Sequence, residues 1–367
     1  MNLLKGDSKT KNLIALDIGS YFIKSLIYQI QEKENRAILI SWTKEELKIS
    51  ENNLTSPEIK EKIEKIIEKT EKKAGIKATH ILWNLPSSII KTKGQTFCHQ
   101  RSNPDLKIDI PEMKNIIQKT QWKAFEEIKK EFSKETGHHE TKAKIVTSIL
   151  TKTSVDENKI ENPVGFKGKK LCISVLNNYT HIDWLNQINK ISNNLNLELY
   201  GLTSSSLTIF NSIDFKKKEK NLLIIDMGGK TTEVTLIKNQ GETAETKTFN
   251  LGGFSFTRIL AEFLELDINQ AETIKKKYSK SKISPKAKSK IEKTLKPSII
   301  SWAEGIRITL KDFKKKHNTS PKTIFLCGQA TKLPGIREIL EEKGNFKIQT
   351  IEGRDITKVK NKTKLKQ

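Results

Sequence analysis

Short apolar runs and apolar positions at helical spacing alternate along most of the chain. Residues 12–45 read as successive strands: the run NLIALDI, a Gly-Ser turn, a second run, then AILISW beyond the charged stretch QEKENR. A helix is predicted over about 56–73, with Ser56 as its N-cap and Pro57 at the first helical position. Ile59, Ile63, Ile66 and Ile67 share one face of it, and Gly75 ends it. From about 78 the pattern changes. THILWNLP predicts a strand ending at Pro86, SIIKTKGQTFCHQ predicts another, and residues 111–134 predict a long amphipathic helix opened by Pro111. KAKIVTSILTKTSV and the turn-rich ENPVGFKG complete a small α+β unit ending near 168, after which KKLCISVLNN returns to a strand and IDWLNQINKISNNLNL to a helix. The first unit is interrupted and then resumed.

Residues 221–237, NLLIIDMGGKTTEVTLI, repeat the opening of the chain: 12–29 read NLIALDIGSYFIKSLIYQ, and Asn12–Asp17 and Asn221–Asp226 are both five residues apart. Two copies of one strand–turn–strand unit imply a duplicated fold. The second hairpin continues through NQGETAETKTF to LGGFSF and then to a helical stretch in which Asp267 caps a second helix. The lysine-rich SKSKISPKAKSK, containing Ser284-Pro285, is expected to be an exposed, solvated loop. In KTIFLCGQATKLPGIREILEE, residues 322–342, a strand ends at Gly328 and a short loop precedes a helix, opened near Pro334, whose N–H groups suit an anion.

Composition adds constraints. With 367 residues the chain is long enough for two domains, and although only 35% of it is hydrophobic, the periodic segments argue for a globular protein. No apolar run approaches the ~20 residues that span a bilayer, and the first residues lack the core of a secretory signal, so a cytoplasmic protein is expected. Cys98, Cys172 and Cys327 are widely spaced without a CxxC pair and are expected to be reduced thiols. His138 and His139 in GHHE are read as surface residues before a metal site. A net charge of +24 would suit nucleic acid, but lysine is spread along the chain and no nucleic-acid motif occurs. No specific nucleic-acid partner is expected, only weak attraction to anionic lipid.

Two hairpins, each placing a carboxylate beside a glycine turn, suit a nucleoside triphosphate held between two lobes, with backbone N–H groups aimed at phosphate oxygens. Asp17 and Asp226 can position the water shell of a Mg2+ ion, and Lys24 adds a cation within reach.

These motifs resemble the actin, heat-shock chaperone and sugar kinase superfamily, and more closely the bacterial cell-division actin family FtsA. LDIGSYFIK looks like its first phosphate motif, IDMGGKTTEV its second and IFLCGQATKLPGI its adenosine motif. ENPVGFKGKKL and the AETIKKKY helix are similar to further FtsA segments. The resemblance covers about residues 12–345 and implies an α/β fold, the duplicated, ribonuclease H-like two-lobed actin ATPase fold, with a small α+β insertion of SHS2 type. It divides the chain into a first lobe (1–77 and 169–217), the insertion (78–168), a second-lobe core (218–251 and 319–350), a helical subdomain (252–318) and a disordered basic tail (351–367).

The resemblance also implies ATP with Mg2+ in the cleft, self-association into filaments, and recruitment of the FtsZ C-terminal peptide and other division proteins at the inner face of the membrane at midcell. Asp17, Gly19, Ser20 and Lys24 would face the phosphates from the first lobe, and Asp226, Gly228, Gly229, Lys230 and Thr231 from the second. Glu272 and Lys275 match ribose and adenine contacts, Gly328, Gln329 and Ala330 would border the base, and Glu233 is the candidate for orienting the attacking water. Three positions depart from the pattern: Lys230, Gln329 and Ala330 stand where the family has glycines. Side chains there obstruct close backbone approach, so weakened ATP binding with at most slow hydrolysis is expected. The tail IEGRDITKVKNKTKLKQ also lacks the apolar face of a membrane-lying helix. Two alternatives stay open: a PilM-like adaptor of pilus or secretion assembly that binds a short peptide from a membrane partner, and a small-molecule kinase of the same superfamily.

Overall fold

A computed structural model describes residues 11–31, 36–47, 54, 56–212, 221–239, 241–344, 346–350 and 359–361. The chain opens with an antiparallel meander of β1 (Lys11–Ile18), β2 (Phe22–Gln31) and β3 (Arg36–Glu46), followed by α1 (Pro57–Ala74) and by β4 (His80–Leu85), which runs parallel to β1. The α1 signals operate as read: Ser56 Oγ accepts from the Ile59 N–H at 3.2 Å, and Gly75 takes the left-handed conformation that ends the helix. Ile59, Ile63, Ile66 and Ile67 are buried with Ile14, Leu16 and Trp83, the core of the first lobe. The Trp83 indole meets its own buried polar requirement by donating to Ser192 Oγ at 3.0 Å.

The insertion follows as β5 (Ile90–Gln100), α2 (Ile110–Thr136), β6 (Ala143–Val155), β7 (Asn158–Lys159) and β8 (Lys170–His181). Next come α3 (Ile182–Asn194), β9 (Glu198–Ser204) and α4 (Ser205–Ser212). The second lobe is β10 (Asn221–Met227), β11 (Thr232–Lys238), β12 (Thr243–Phe249), α5 (Gly253–Leu264), α6 (Ile268–Ser279), α7 (Pro285–His317), β13 (Thr323–Cys327), α8 (Ile336–Gly344) and β14 (Lys347–Thr350). A last strand, β15 (Val359–Asn361), pairs in parallel with β3.

The sheets prove the duplication. One has the order β15-β3-β2-β1-β4-β9; the other runs β14-β13-β10-β11-β12-β5-β8-β6-β7. Within them β3-β2-β1-β4-β9 and β12-β11-β10-β13-β14 repeat the same order, with two antiparallel pairings followed by two parallel ones. Equivalent residues fall in register: Asp17 lies opposite Lys24 and beside Asn84, and Asp226 lies opposite Glu233 and beside Cys327.

Several expectations are corrected. β4 belongs to the first sheet, whereas β8, expected to resume the first lobe, pairs with β5 and β6; an apolar run does not declare its partner strand. Cys98 and Cys172 are not reduced: they are direct cross-strand partners on β5 and β8 and form a disulfide, a proximity hidden by 74 residues of sequence separation. Only Cys327 is free. The lysine-rich segment is not a loop throughout, because Ser284 caps α7 and Pro285 is its first residue. In the basic tail, 359–361 form β15, while the rest, like the charged stretch 32–35, lies outside the described residues.

The nine-stranded sheet also crosses between units. β12 pairs antiparallel with β5 through Ala244↔Gly94 and Glu245↔Lys93, so the second lobe and the insertion share one hydrogen-bonded surface. The approach is close: a Cβ on Gly94 would stand 2.5 Å from the Ala244 nitrogen.

Candidate functional site

The two glycine turns are built alike. Gly19 donates to Phe22 O at 2.9 Å and Gly228 donates to Thr231 O at 2.9 Å, closing equivalent turns at the ends of β1 and β10. The two turns meet: Lys230 N donates to Ser20 Oγ at 3.0 Å, and a Cβ on Gly229 would stand 2.7 Å from that same oxygen. Behind the second turn, Gly253 N donates to Gly228 O at 2.9 Å and Phe254 N to Gly229 O at 2.7 Å, so the start of α5 fixes the loop. Lys230 is not among the residues with positive φ. The missing third glycine therefore costs the turn no backbone strain.

Behind the turns the predicted carboxylates gather with side chains that the sequence motifs did not mark. Asp17 Oδ2 takes the Lys24 ammonium at 2.5 Å, and Asp17 Oδ1 accepts from Asn84 Nδ2 at 2.8 Å. Asn84 also reaches Ser205 Oγ at 3.3 Å, and Ser205 hydrogen-bonds Asp226. The two aspartates are thus joined across the lobes through Asn84 and Ser205. Burial, then the carboxylates of Glu233 and Asp17, push the Asp226 carboxyl up to about 6. The same surroundings, burial first, push the neighbouring Cys327 thiol up.

Glu233 is buried at 9% exposure and one of its oxygens accepts from Ser87 N at 2.8 Å, while Ser87 Oγ and Thr248 Oγ1 are 2.9 Å apart. The residue expected to orient water is therefore also tied to the first lobe just beyond β4. Asn84 and Ser87 were missed because nothing local marks them; the signal is their place in and after the strand that runs parallel to β1.

Glu272 and Lys275, expected to contact the nucleoside, pair with each other, with side chains only 13% exposed and an ion-pair distance of 2.7 Å. Lys275 Nζ also donates to Gly253 O at 2.7 Å and Thr257 Oγ1 at 2.6 Å, and Thr257 donates to Glu272 at 2.5 Å. Burial lowers the Lys275 ammonium pKa, and Glu272 opposes that shift. Lys276 bridges to the first lobe, donating to Glu46 at 2.9 Å and Tyr21 Oη at 3.4 Å.

The third loop turns at Gly328, whose φ of 93° and a prospective Cβ only 2.2 Å from Met227 O demand glycine. Gln329 and Ala330 follow in a short 3-10 turn, and Ala330 fills the space beside Gly253, where a Cβ would meet the Ala330 methyl at 2.8 Å.

The donor set fits a hydrated divalent cation: three carboxylates with one raised by burial, and Asn84 Oδ1, a buried acceptor without a hydrogen bond beside Asp17. No group of three His, Cys, Asp or Glu residues among the described residues is arranged to ligate a metal directly. His138 of the GHHE stretch instead packs against His181, with ring centres 4.7 Å apart.

That contact lies in a cleft of about 390 Å³, between the insertion and α3. Ile89, Phe132, Tyr179 and Trp184 provide apolar walls, and burial pushes the Tyr179 phenol well up. His181 Nε2 and Gln187 Oε1 line the same cleft and are buried without a hydrogen-bond partner.

Comparison with known proteins places this geometry. The PilM chain of a PilM–PilN type IV pilus biogenesis complex superposes with a TM-score of 0.67 at 14% identity, over 96% of this chain and 91% of that one. The ethanolamine utilization protein EutJ from Carboxydothermus hydrogenoformans gives 0.52 at 13% identity, over 94% and 86%. The fold is the actin-like ATPase fold expected from the motifs. No curated protein sequence matches the chain. The FtsA resemblance holds at the level of the superfamily and is not supported as the family. A family profile described as type IV pilus assembly protein PilM matches residues 180–367, just over half the length, and the chain therefore belongs to the type IV pilus assembly protein PilM family.

Proposed function

We propose that this chain is an adaptor in a pilus-type assembly machine: ATP with Mg2+ sets the relation of its lobes, and the cleft beside α3 captures a short peptide of a partner protein. The cleft carries the reading, since a trough of mixed apolar and polar lining with two unsatisfied buried polar atoms, His181 Nε2 and Gln187 Oε1, suits a ligand that brings both side chains and backbone hydrogen bonds. The similar PilM structure is described as a PilM–PilN complex, which supports a protein ligand of that kind.

At the nucleotide site Asp17 and Asp226 would hold Mg2+ through water, with Asn84 Oδ1 as a further acceptor. Gly19, Ser20, Gly228, Gly229, Lys230 and Thr231 would face the phosphates, and Glu272, Lys275 and Gly328 to Ala330 the nucleoside. Mg-ATP, when bound, would supply negative charge for the backbone N–H groups of both turns. Lys230 N and Ser20 Oγ, now bonded to each other, would turn to the phosphate, and Glu233, tied to Ser87, would hold the lobes as much as orient water. Binding and assembly, more than turnover, are the function this arrangement serves.

Calorimetry with peptides tiled across the PilN-type protein of the same organism, and with an FtsZ C-terminal peptide, tests the reading. A PilN-type peptide should bind, and Trp184→Ala and Gln187→Ala should each weaken it by roughly tenfold, the loss of one buried contact. Binding of the FtsZ peptide alone would overturn the proposal in favour of a cell-division role.

A further inference from the structure

The lysine-rich segment remains unused by either cleft. Between Thr273 and Ala303 the sequence has ten lysines and one acidic residue, Glu292, whereas α1 alternates lysine with glutamate along its length. The chain-wide lysine bias accounts for the cations but not for the loss of their counter-charges. Lys275, Lys276 and Lys288 have carboxylate partners. The other seven, from Lys277 to Lys296, are exposed, and among the described residues none of them has an ion-pair partner.

The segment is held rigid. Tyr278 and Ile291 are buried at 2% and 3% exposure, Lys282 N donates to Lys277 O at 2.8 Å, and Ser284 Oγ caps α7 by accepting from Ala287 N. The lysines are thereby fixed on the outside of one helical corner. α7 also has no acidic residue in its first turn, where a helix favours one, and Lys286 and Lys290 repel each other at i,i+4 spacing. Folding alone gives no reason for this arrangement.

We infer that the corner formed by the end of α6 and the start of α7 docks on an anionic phospholipid surface. The residue types favour lipid over nucleic acid: no arginine lies between Arg258 and Arg307 to make bidentate phosphate contacts, and the aromatics in the segment, Tyr278 and Trp302, are buried and cannot stack on bases. Lysines act as point charges that suit mobile anionic headgroups.

Flotation of the full chain at near-physiological salt, with vesicles of phosphatidylcholine alone or mixed with phosphatidylglycerol, tests the inference. Binding should require phosphatidylglycerol. A Lys286→Gln/Lys290→Gln/Lys293→Gln variant should bind about a hundredfold more weakly, roughly fivefold per lysine. A Lys277→Gln/Lys280→Gln/Lys282→Gln variant should show a similar loss, and a charge-matched Lys119→Gln/Lys123→Gln/Lys130→Gln change on α2 should have little effect. Equal losses in all three variants, no dependence on phosphatidylglycerol, or tighter binding to duplex DNA at the same salt would each overturn it.

Discussion

Lys230 and Gly328 are two ends of the same question about glycine. At Gly328 the backbone has φ 93° and the neighbouring carbonyl leaves no room for a Cβ, so the residue is required by the fold. At Lys230 φ is not positive and the amide is already engaged by Ser20 Oγ, so the departure from glycine concerns the ligand instead of the chain. Lys230→Gly should leave the fold intact and tighten Mg-ATP binding about tenfold, on the order of 1.4 kcal/mol, by clearing the turn for closer backbone approach. Calorimetry on both proteins measures it; weaker binding by the variant would mean that the ammonium assists the phosphate.

At the level of elements, local rules served best where capping and periodicity agreed. α1, α2 and α6 begin at Ser56, Asp109 and Asp267, whose side chains accept from the first-turn amides. α7 was harder to read because its opening lysines look like solvated linker, although Ser284-Pro285 is also a helix-start signal. The far end of α7 makes a contact that sequence could not reveal. Lys316 and His317 reach Glu245 on β12 at 2.8 and 2.7 Å. Burial alone would raise the Glu245 pKa, but these hydrogen bonds and charges outweigh it and hold the carboxyl below its usual range. A depressed folded value contributes stability that is present above the unfolded value of about 4.3 and is lost as pH falls through the folded one. The melting temperature should therefore drop on acidification below about pH 4.5, and Glu245→Gln should lessen that drop while lowering stability at neutral pH. Thermal melts of both proteins across pH 3–7 (about half a unit apart) check the sign.

For the whole molecule, the seam between β5 and β12 decides how independently the parts can move. It joins the insertion to the second lobe by backbone pairing at Gly94 and Lys93, and Thr96 Oγ1 donates to Glu242 O at 3.1 Å along the same junction. The Lys152–Glu242 ion pair adds a further link. Opening the lobes by rotation must carry the insertion along or break the seam. Gly94→Val places a side chain where a Cβ already stands 2.5 Å from the Ala244 nitrogen, so it should part these strands. Hydrogen exchange should then quicken roughly tenfold or more at the β12 amides facing β5, while β10 stays protected. Unchanged exchange at β12 would show that the seam tolerates the added bulk.

The sequence by itself determined the duplicated hairpins, the positions of Asp17 and Asp226, and the glycine turns, because strand alternation, turn residues and caps act over a few neighbouring positions. It also carried the superfamily. Only the tertiary structure decided that Cys98 faces Cys172, that β8 leaves the first sheet, and that Asn84 and Ser205 connect the two aspartates. These are pairings between residues tens to more than a hundred positions apart, and the free energy that selects them is cross-strand packing and burial, which no short window of sequence contains. The exposed corner of α7 lies between the two cases: the lysines and the missing acids were legible, but their rigid display on one surface came from the burial of Tyr278 and Ile291 beneath them.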